Sequence, residues 1–287
     1  MIKDSELVLA ADGTLYHLHL GEDTLADDIL LVGDPERVNM FKEIFEHVES
    51  EVQNRELHSL TGTFQGHRFT ALSTGMGCDN IDIVLTELDA CANMDLKKRI
   101  AKQQHRTLRM IRIGTCGSLH RDVPCGSLVA SAYAIGLDGL IHYYRHDPQL
   151  MALEMQQQLA KHLQLPSEMA TPYCVKGSNE LLQRVARDMT KGITCTAPGF
   201  YGPQGRCVRI APRVENLNTK LASFHYDGLK VVNLEMETSG IYGLSRIMGH
   251  EALTVCLVIA NRAEGTFLNE YHAQMKQTIL QVIQSLL

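Results

Sequence analysis

The ten residues LRMIRIGTCG, at positions 108–117, decide the fold class of this 287-residue chain. Large apolar residues interrupted only by two arginines run into a Gly-Thr-Cys-Gly turn, which is typical of a buried strand ending at a sheet edge. Five other apolar runs bounded by glycine or aspartate share this form: DDILLVGD (27–34), HRFTALSTGMG (67–77), CGSLVASA (125–132), KVVNLE (230–235) and ALTVCLVIANR (252–262). We expect all six to form strands of a central sheet.

Helical periodicity fills the intervals between these strands. The predicted helices lie at 35–46, 80–94, 148–163, 178–190, 237–249 and 268–287. Alternating strands and helices indicate an α/β protein with a largely parallel or mixed sheet surrounded by helices. No Pro/Ser-rich or single-charge linker is visible, so we predict a single domain over 1–287.

Composition and charge exclude several functional classes. With 45% hydrophobic and 21% charged residues, the chain can bury a large core. The formal net charge of −6 argues against binding to nucleic acid or to an anionic membrane surface. The first residues, MIKDSELVLAADG, lack the basic start of a signal peptide, and the apolar stretch 253–260 is too short to span a bilayer. We therefore expect a cytoplasmic protein.

Cysteines and histidines give no metal pattern. The eight cysteines are scattered without a CxxC pair, and we expect them to be reduced and mostly buried. His142 and His146 are four residues apart, but no carboxylate or cysteine set converges with them, and His19 is assigned no role. A dinucleotide site is also disfavoured, because GMGCDN (75–80) has asparagine at the third glycine of GxGxxG.

Three arginines near strand ends suit a phosphate ion. Arg37 follows a Gly-Asp-Pro turn, Arg112 lies in the strand that leads to Thr115, and Arg55 lies in the segment NREL. A planar, permanently charged guanidinium donates two hydrogen bonds to one oxyanion, and Gly33 and Thr115 add a backbone N–H and a hydroxyl. The alternative for each arginine alone is an ordinary surface position.

Two further segments carry groups that suit a sugar and a flat ring. In NLEME (233–237), a carboxylate can accept hydrogen bonds from paired sugar hydroxyls while Met236 packs on the sugar; the alternative is that Glu237 caps the following helix. In GFYGPQGR (199–206), an aromatic pair precedes a glutamine and an arginine that could read a uracil edge; the alternative is a surface turn.

Taken in order along the chain, these motifs resemble the nucleoside phosphorylase family, most closely its uridine phosphorylase branch. The matching segments are YHLHL (16–20), GDPERV (33–38), NREL (54–57), STGMG (73–77), IRIGTCG (111–117), FYGPQGR (200–206), NLEMET (233–238) and VIANRAEG (258–265). The resemblance implies a mixed, partly barrel-like sheet surrounded by helices. It also implies a pentosyltransferase that converts uridine and phosphate to uracil and ribose 1-phosphate through an oxocarbenium-like transition state.

The resemblance also assigns roles to individual residues. It implies that phosphate is bound by Gly33, Arg37, Arg112, Thr115 and a neighbouring subunit's Arg55. The ribose would be held by Glu235, Met236, Glu237 and the neighbour's His17, and the base by Phe200, Gln204 and Arg206 under a lid carrying Arg262. The catalytic groups would be Arg112, Gln204, Arg206 and Glu237, with phosphate as co-substrate, no cofactor or metal, and a homodimer or a hexamer built as a trimer of dimers.

Asn261 bears on the choice of base. Purine-cleaving members of the family usually have an aspartate there that protonates the purine, so asparagine favours a pyrimidine. Cys78-Asp79-Asn80 and Cys116 depart from the family pattern and leave the details of base and ribose contacts open. A purine nucleoside phosphorylase, a nucleosidase of the same fold and a non-catalytic nucleoside sensor remain alternatives.

Overall fold

Fourteen strands and seven α-helices make up the computed structural model, which describes residues 2–287. The strands are β1 (Asp28–Val32), β2 (His47–Asn54), β3 (Leu57–Phe64), β4 (His67–Ser73), β5 (Met94–Asp95), β6 (Ile100–Ala101), β7 (Arg109–Ser118), β8 (Leu128–Gly136), β9 (Tyr173–Lys176), β10 (Thr190–Thr196), β11 (His225–Tyr226), β12 (Leu229–Glu235), β13 (Glu251–Asn261) and β14 (Thr266–Phe267). The helices are α1 (Pro35–Lys42), α2 (Cys78–Asn93), α3 (Leu153–Leu163), α4 (Asn179–Val185), α5 (Leu217–Ala222), α6 (Thr238–Met248) and α7 (His272–Ser285).

Twelve of these strands form one mixed sheet in the order β11-β12-β10-β8-β13-β7-β1-β4-β3-β2, with β14 paired to β13 and β9 to β8. At its centre β1 runs parallel to both β4 and β7, so the carboxyl ends of these strands lie at the same edge. The antiparallel strands β2, β3 and β4 extend the sheet beyond β1. The edge formed by the carboxyl ends of β1, β4 and β7 is where a ligand site is expected in an α/β sheet.

One part of the sheet closes into a five-stranded barrel. Strand β12 pairs in parallel with β10 and also antiparallel with β7, where Asn233 lies opposite Ser118 and Leu234 opposite Gly117. The pairings of β7 with β13, β13 with β8 and β8 with β10 complete the ring. The expected mixed sheet with a partly barrel-like region is therefore confirmed.

Helices cover both faces of the sheet and bury three apolar layers. Helices α2 and α6 share a core that includes Leu85 and Leu244, while α1, α4 and α7 share a second core around Phe41. Helices α3 and α5 pack on the barrel through Leu159 and Leu221. Each fully buried large apolar side chain contributes about 1.5–3 kcal/mol, so these layers hold the strand ends in fixed positions.

The six expected strands are present, but several helix boundaries differ from the sequence prediction. Helix α1 ends at Lys42 rather than residue 46, α4 ends at Val185 rather than 190, and α7 begins at His272 rather than 268. The helix expected over 148–163 begins only at Leu153, because Asp147 caps a separate 3₁₀ turn over Pro148–Leu150. The prediction of a single domain over 1–287 stays a prediction.

The cysteines and helices also bear on the sequence expectations. All eight cysteines are unbridged; six are buried, Cys125 is half-buried and Cys207 is exposed. Between residues 2 and 287, none of the helices has both the length and the apolar character needed to cross a membrane.

Candidate active site

A cavity of about 690 Å³ opens at the edge where β1, β4, β7, β12 and β13 deliver their final residues. Its walls include ten of the residues expected from the sequence: Gly33, Arg37, Arg112, Thr115, Phe200, Gln204, Arg206, Glu235, Met236 and Glu237. The fold therefore brings together segments spread over two hundred residues, because neighbouring strands end side by side.

Arg112 lies buried in the wall of this cavity. Its Nη2 donates to Oε2 of Glu237, and its Nε is 3.5 Å from Oε2 of Glu235. Burial alone would lower the pKa of Arg112, but the charges of Glu237 and Glu235 outweigh it and raise that pKa above its ordinary value. The Nε and Nη1 atoms have no hydrogen-bond partner. Because buried donors are rarely left unpaired, an anion bound against this wall is a candidate acceptor for these two groups.

Gly114 makes room for the Arg112 side chain. A Cβ atom at this glycine would lie 1.6 Å from Nη1 of Arg112, so the guanidinium passes directly over the glycine backbone. A glycine inside a strand often marks such a close approach. The IRIGTCG motif therefore contains both the cation, Arg112, and the glycine that leaves room for its side chain.

Glu235 has a structural role that the sequence reasoning did not assign to it. Its carboxylate accepts hydrogen bonds from the Thr196 hydroxyl at 2.7 Å and from the backbone N–H groups of Glu237 and Thr238 at 3.0 Å. Glu235 thus caps α6, whereas the alternative reading of the sequence gave this role to Glu237. Burial raises the pKa of Glu235 even though the charge of Arg112 opposes that shift.

Glu237 is left facing the cavity. Its Oε1 accepts the Gly77 N–H at 2.7 Å, and its Oε2 accepts from Arg112. Each carboxylate oxygen has a second lone pair, so Glu237 can still accept hydrogen bonds from a ligand. The neighbouring Met236 lines the same wall.

Helix α1 begins at the cavity. Asp34 caps it by accepting the Glu36 N–H at 2.9 Å, and Pro35 occupies its first turn. The unpaired N–H groups and dipole of a helix N-terminus favour an anion. Arg37 projects from this turn, with its Nη2 3.4 Å from the Tyr271 hydroxyl and its guanidinium 5.9 Å from the centre of that ring.

The expected base-binding loop is closed on itself. Arg206 donates to the Phe200 carbonyl and to Oε1 of Gln204, both at 2.6 Å, and its guanidinium lies 3.7 Å from the centre of the Phe200 ring. Burial and the charge of Arg262 lower the pKa of Arg206 to about 10. Arg262 is not on the cavity wall; its Nη1 donates to the Gln204 carbonyl at 3.2 Å. The Arg206 guanidinium thus covers one face of the Phe200 ring.

The side-chain amide of Asn261 makes all of its hydrogen bonds with backbone groups around it. Its amide nitrogen donates to the carbonyls of His120 and Val123 at 2.9 and 3.1 Å. Its amide oxygen accepts from the N–H groups of Ala263 and Glu264, both at 3.0 Å. In this arrangement the Asn261 side chain holds the turn after β13 and does not face the cavity.

His17 and Arg55 are not brought into the cavity of their own chain. His17 contacts Glu87 through Nδ1 at 2.6 Å, and its carbonyl accepts from Asn54 at 2.9 Å. The Arg55 guanidinium lies 5.9 Å from the centre of the Tyr16 ring. Both residues thus belong to one surface region around Tyr16, outside the cavity.

The sequence reasoning missed several wall residues. Glu56, Met76, Ile259 and Phe267 line the cavity, and so does Asn80 from the segment that departs from the family pattern. Phe267 lies in a two-residue strand that no apolar run could predict. For Glu56, its place directly after Arg55 was the available signal.

The two departures from the family pattern have different outcomes. Cys116 lines the cavity. Cys78 instead lies behind Met236 and contacts its carbonyl through Sγ at 3.4 Å. Burial raises the pKa of the Cys78 thiol well above its ordinary value, so it is a poor nucleophile.

A second cavity, of about 900 Å³, lies on the other side of Arg206. Its walls are mainly apolar and come largely from the segment 198–217. Arg206 is the only expected site residue that it shares. The smaller cavity is therefore the better candidate, because the cationic and acidic groups converge there.

Among the described residues, one group could offer three metal ligands: Asp89, His105 and His250. Nδ1 of His250 accepts the Leu108 N–H at 3.2 Å, so its Nε2 carries the proton and donates to Asp89 at 3.1 Å. A metal on that Nε2 would need the opposite tautomer. The protonation pattern of this group therefore does not fit a metal ion.

Comparison with known proteins identifies the class. A family model described as the phosphorylase superfamily matches residues 27–287. The chain is 26% identical over 259 residues to a uridine phosphorylase of Thermococcus kodakarensis, covering 89% of this chain and 80% of the relative. It is 28% identical over 263 residues to a DeoD-type purine nucleoside phosphorylase of Geobacillus stearothermophilus, covering 91% and 92%.

Solved structures show the same fold. A Trypanosoma brucei nucleoside phosphorylase that shows uridine phosphorylase activity superposes with a TM-score of 0.84 at 29% identity, covering 97% of both chains. A uridine phosphorylase of Phytophthora capsici, at 22% identity and a TM-score of 0.73, supports the fold alone. The chain belongs to the phosphorylase superfamily. The expected family and the expected enzyme class, a pentosyltransferase of the nucleoside phosphorylase type, are confirmed.

Proposed function

We propose that the chain catalyses the phosphorolysis of a pyrimidine ribonucleoside, converting uridine and phosphate to uracil and ribose 1-phosphate. The observation that carries this proposal is Arg112, a buried cation with two unpaired N–H groups beside Glu237 in the cavity. Such donors suit an oxyanion that must lie next to a sugar.

Phosphate would be held by Arg112, Arg37 and Thr115, with the Gly33 backbone at the start of α1. Cleavage of a glycosidic bond develops positive charge on the sugar, so a phosphate beneath the ring acts as counter-ion and then as nucleophile. Fixing its position removes much of the entropic cost of the encounter. The mechanism requires neither a covalent intermediate nor a cofactor.

Glu237 would accept hydrogen bonds from the ribose hydroxyls while Met236 packs on the sugar. Glu235 supports this arrangement from behind, since its carboxylate anchors the Glu237 backbone N–H at 3.0 Å. Movement of Glu237 would also break its bond to Gly77. The ribose site is thereby pre-organised, which favours binding.

Gln204 and Arg206 would stabilise negative charge on the departing uracil, with Phe200 stacking on the ring and Arg262 in the lid. Arg206 donates to the Phe200 carbonyl and to Gln204, so we expect nucleoside binding to exchange these internal bonds for contacts with uracil oxygens. Asn261 supports a pyrimidine, because a carboxamide has no acidic proton to give to a purine, and its hydrogen bonds go to backbone groups.

We further propose that the working unit is at least a homodimer, as a pair or within a hexamer, with His17 and Arg55 completing a neighbour's site. Their position outside the cavity of their own chain supports this arrangement. A cytoplasmic location is part of the same proposal, since all eight cysteines are unbridged.

The DeoD-type relative makes purine nucleosides the second candidate substrates. Base release from uridine, thymidine, inosine and adenosine, each with and without phosphate, separates the alternatives. We expect phosphate-dependent release from uridine. Release of purine bases would indicate a purine nucleoside phosphorylase. Release without phosphate would indicate a nucleosidase, and thermal stabilisation by the nucleoside without turnover would indicate a sensor.

A further inference from the structure

We propose that His58 is a positioning residue that holds the first turn of α1 in place for phosphate. The inference rests on the proposed phosphorolysis, in which α1 supplies Arg37 and the anion-binding helix terminus. His58 lies in β3 and does not touch the cavity, so it would act through α1.

The His58 ring lies between two oxygen acceptors. It is 4% exposed, with Nδ1 3.2 Å from the Pro35 carbonyl and Nε2 2.9 Å from Oε1 of Glu51. A carbonyl and a carboxylate can only accept, so a ring nitrogen that carries a proton donates to the oxygen that it faces. The His58 side chain therefore lies as a link between the first residue of α1 and Glu51 in β2.

The backbone of His58 is also fixed. Its N–H donates to the Ser73 hydroxyl at 2.7 Å, and that hydroxyl donates to the Glu56 carbonyl at 2.7 Å. Ser73 ends β4, just before the turn that lines the cavity. The ring therefore projects from an anchored strand, so its contact with Pro35 transmits a defined position.

The His58 ring and the Glu51 carboxylate contact helix α1 at both of its ends. Pro35 is its first residue, and Lys42, its last, lies 2.6 Å from the same Oε1 of Glu51 that His58 contacts. Arg37 and Gly33 lie two residues on either side of Pro35. A tilt of this eight-residue helix would move both phosphate contacts together. The His58 ring, Glu51 and Lys42 thus form a clamp on α1.

Two isosteric substitutions separate the two halves of the clamp. An asparagine amide nitrogen can reach the position of Nδ1 and donate to Pro35, whereas a glutamine amide nitrogen reaches the position of Nε2 and faces Glu51. His58→Gln should lose the contact with Pro35, and His58→Leu should lose both contacts. We expect each to raise the KM for phosphate at least about fivefold, the size expected for losing one hydrogen bond. The KM for uridine should change less than about twofold. His58→Asn should restore a near-normal phosphate KM.

His67→Gln is the matched control, because His67 contacts Asp28 at the opposite end of β1 and should leave both KM values unchanged. Equal phosphate KM values in His58→Asn and His58→Gln, or a parallel rise in both KM values, would overturn the positioning role. Calorimetric titration with inorganic phosphate separates this result from failure of the proposed function. If the wild type binds phosphate without turnover, the same ranking of variants must hold for the phosphate Kd; if it binds none, the inference fails as well.

Discussion

At the residue scale, Arg112 shows how a buried charge is kept usable. Removing a guanidinium from water costs several kcal/mol unless acids and hydrogen bonds replace the lost hydration. Glu237 and Glu235 supply that replacement on one side, while Nε and Nη1 stay unpaired. The side chain is thus stabilised as a cation and still has donors for a ligand.

The path of Arg112 over Gly114 leads to a prediction. In Gly114→Ala the new methyl group would occupy the position of Nη1, so the guanidinium must move away from Glu237. We expect kcat/KM for phosphorolysis to fall at least about tenfold, as in Arg112→Ala, while the fold is retained. Steady-state kinetics and circular dichroism measure the two effects.

Gly21→Ala provides the matched control, because no atom lies within 4 Å of a Cβ at that glycine and its φ is −114°. It should leave activity unchanged. A fully active Gly114→Ala protein would show that the guanidinium does not need the space above this glycine.

Residue chemistry could be predicted from the sequence only in part. The expectation that Arg112 and Arg37 suit a phosphate ion and that Glu237 suits sugar hydroxyls follows from their functional groups and their places near the ends of apolar runs. The division of labour between Glu235 and Glu237 could not be predicted, because both carboxylates precede the same helix. The hydrogen bonds from the N–H groups of Glu237 and Thr238 show that Glu235 is the cap, and the Thr196 hydroxyl, on another strand, helps to hold its carboxylate there.

At the element scale, a strand can be predicted where burial is matched by a run of apolar residues; β3 is buried at six of its eight positions, but its mixed sequence LHSLTGTF does not predict a strand. Strand β1 is buried along its whole length, and every residue after Asp28 is apolar. Strand β2 is half-exposed or exposed at every position, so its sequence HVESEVQN lacks an apolar run and was missed. Strand β14 is only two residues long and depends on its pairing with Ala260 and Asn261. Exposed and very short strands are specified by their partners rather than by their own composition.

The first residue of β1 carries a buried acid whose partners predict a pH effect. Asp28 accepts hydrogen bonds from two nitrogens of Arg109 at 2.5 Å and one of His67 at 2.6 Å. Burial by itself would raise its pKa, but these bonds lower it below the ordinary value of 3.8. The stabilisation is therefore complete above that value and is lost as pH falls through the folded-state pKa.

We expect Asp28→Asn to lower the free energy of unfolding by about 3 kcal/mol at neutral pH. The difference from wild type should shrink below about pH 4, where the carboxyl of the unfolded wild-type chain takes up a proton, and should be smallest below the lower pKa of the folded state. Urea unfolding at several pH values measures both. Asp122→Asn, which removes an exposed pair with Lys230, should have a much smaller effect. Equal losses in the two variants would contradict the role of burial.

At the scale of the whole molecule, two of the expected site residues lie outside the cavity. His17 and Arg55 share a surface region that does not line the cavity of the same chain. No apolar or helical pattern in one chain records how a second copy would dock. This part of the site could therefore be predicted only from resemblance, and it stays a prediction.

Complementation between two inactive variants tests whether Arg55 acts across subunits. Arg55→Ala and Arg112→Ala should each be nearly inactive. Random mixing puts half of the subunits into mixed dimers, each with one intact site, so about a quarter of wild-type activity should return. Co-refolded mixtures assayed for uracil release give the result. If Arg55 served its own chain, the mixture would stay as inactive as its components.

Closure of the barrel by β12 affects how a new chain acquires its site. Arg112 is synthesised 125 residues before Glu237, and the two meet only when β12 joins β7 and β10. Until then the arginine has no counter-charge, and β7 lacks a neighbour along its last residues. Pairings of such long sequence separation form late and slowly. The catalytic pocket therefore appears in one late step, so recovered activity during refolding reports the completed protein.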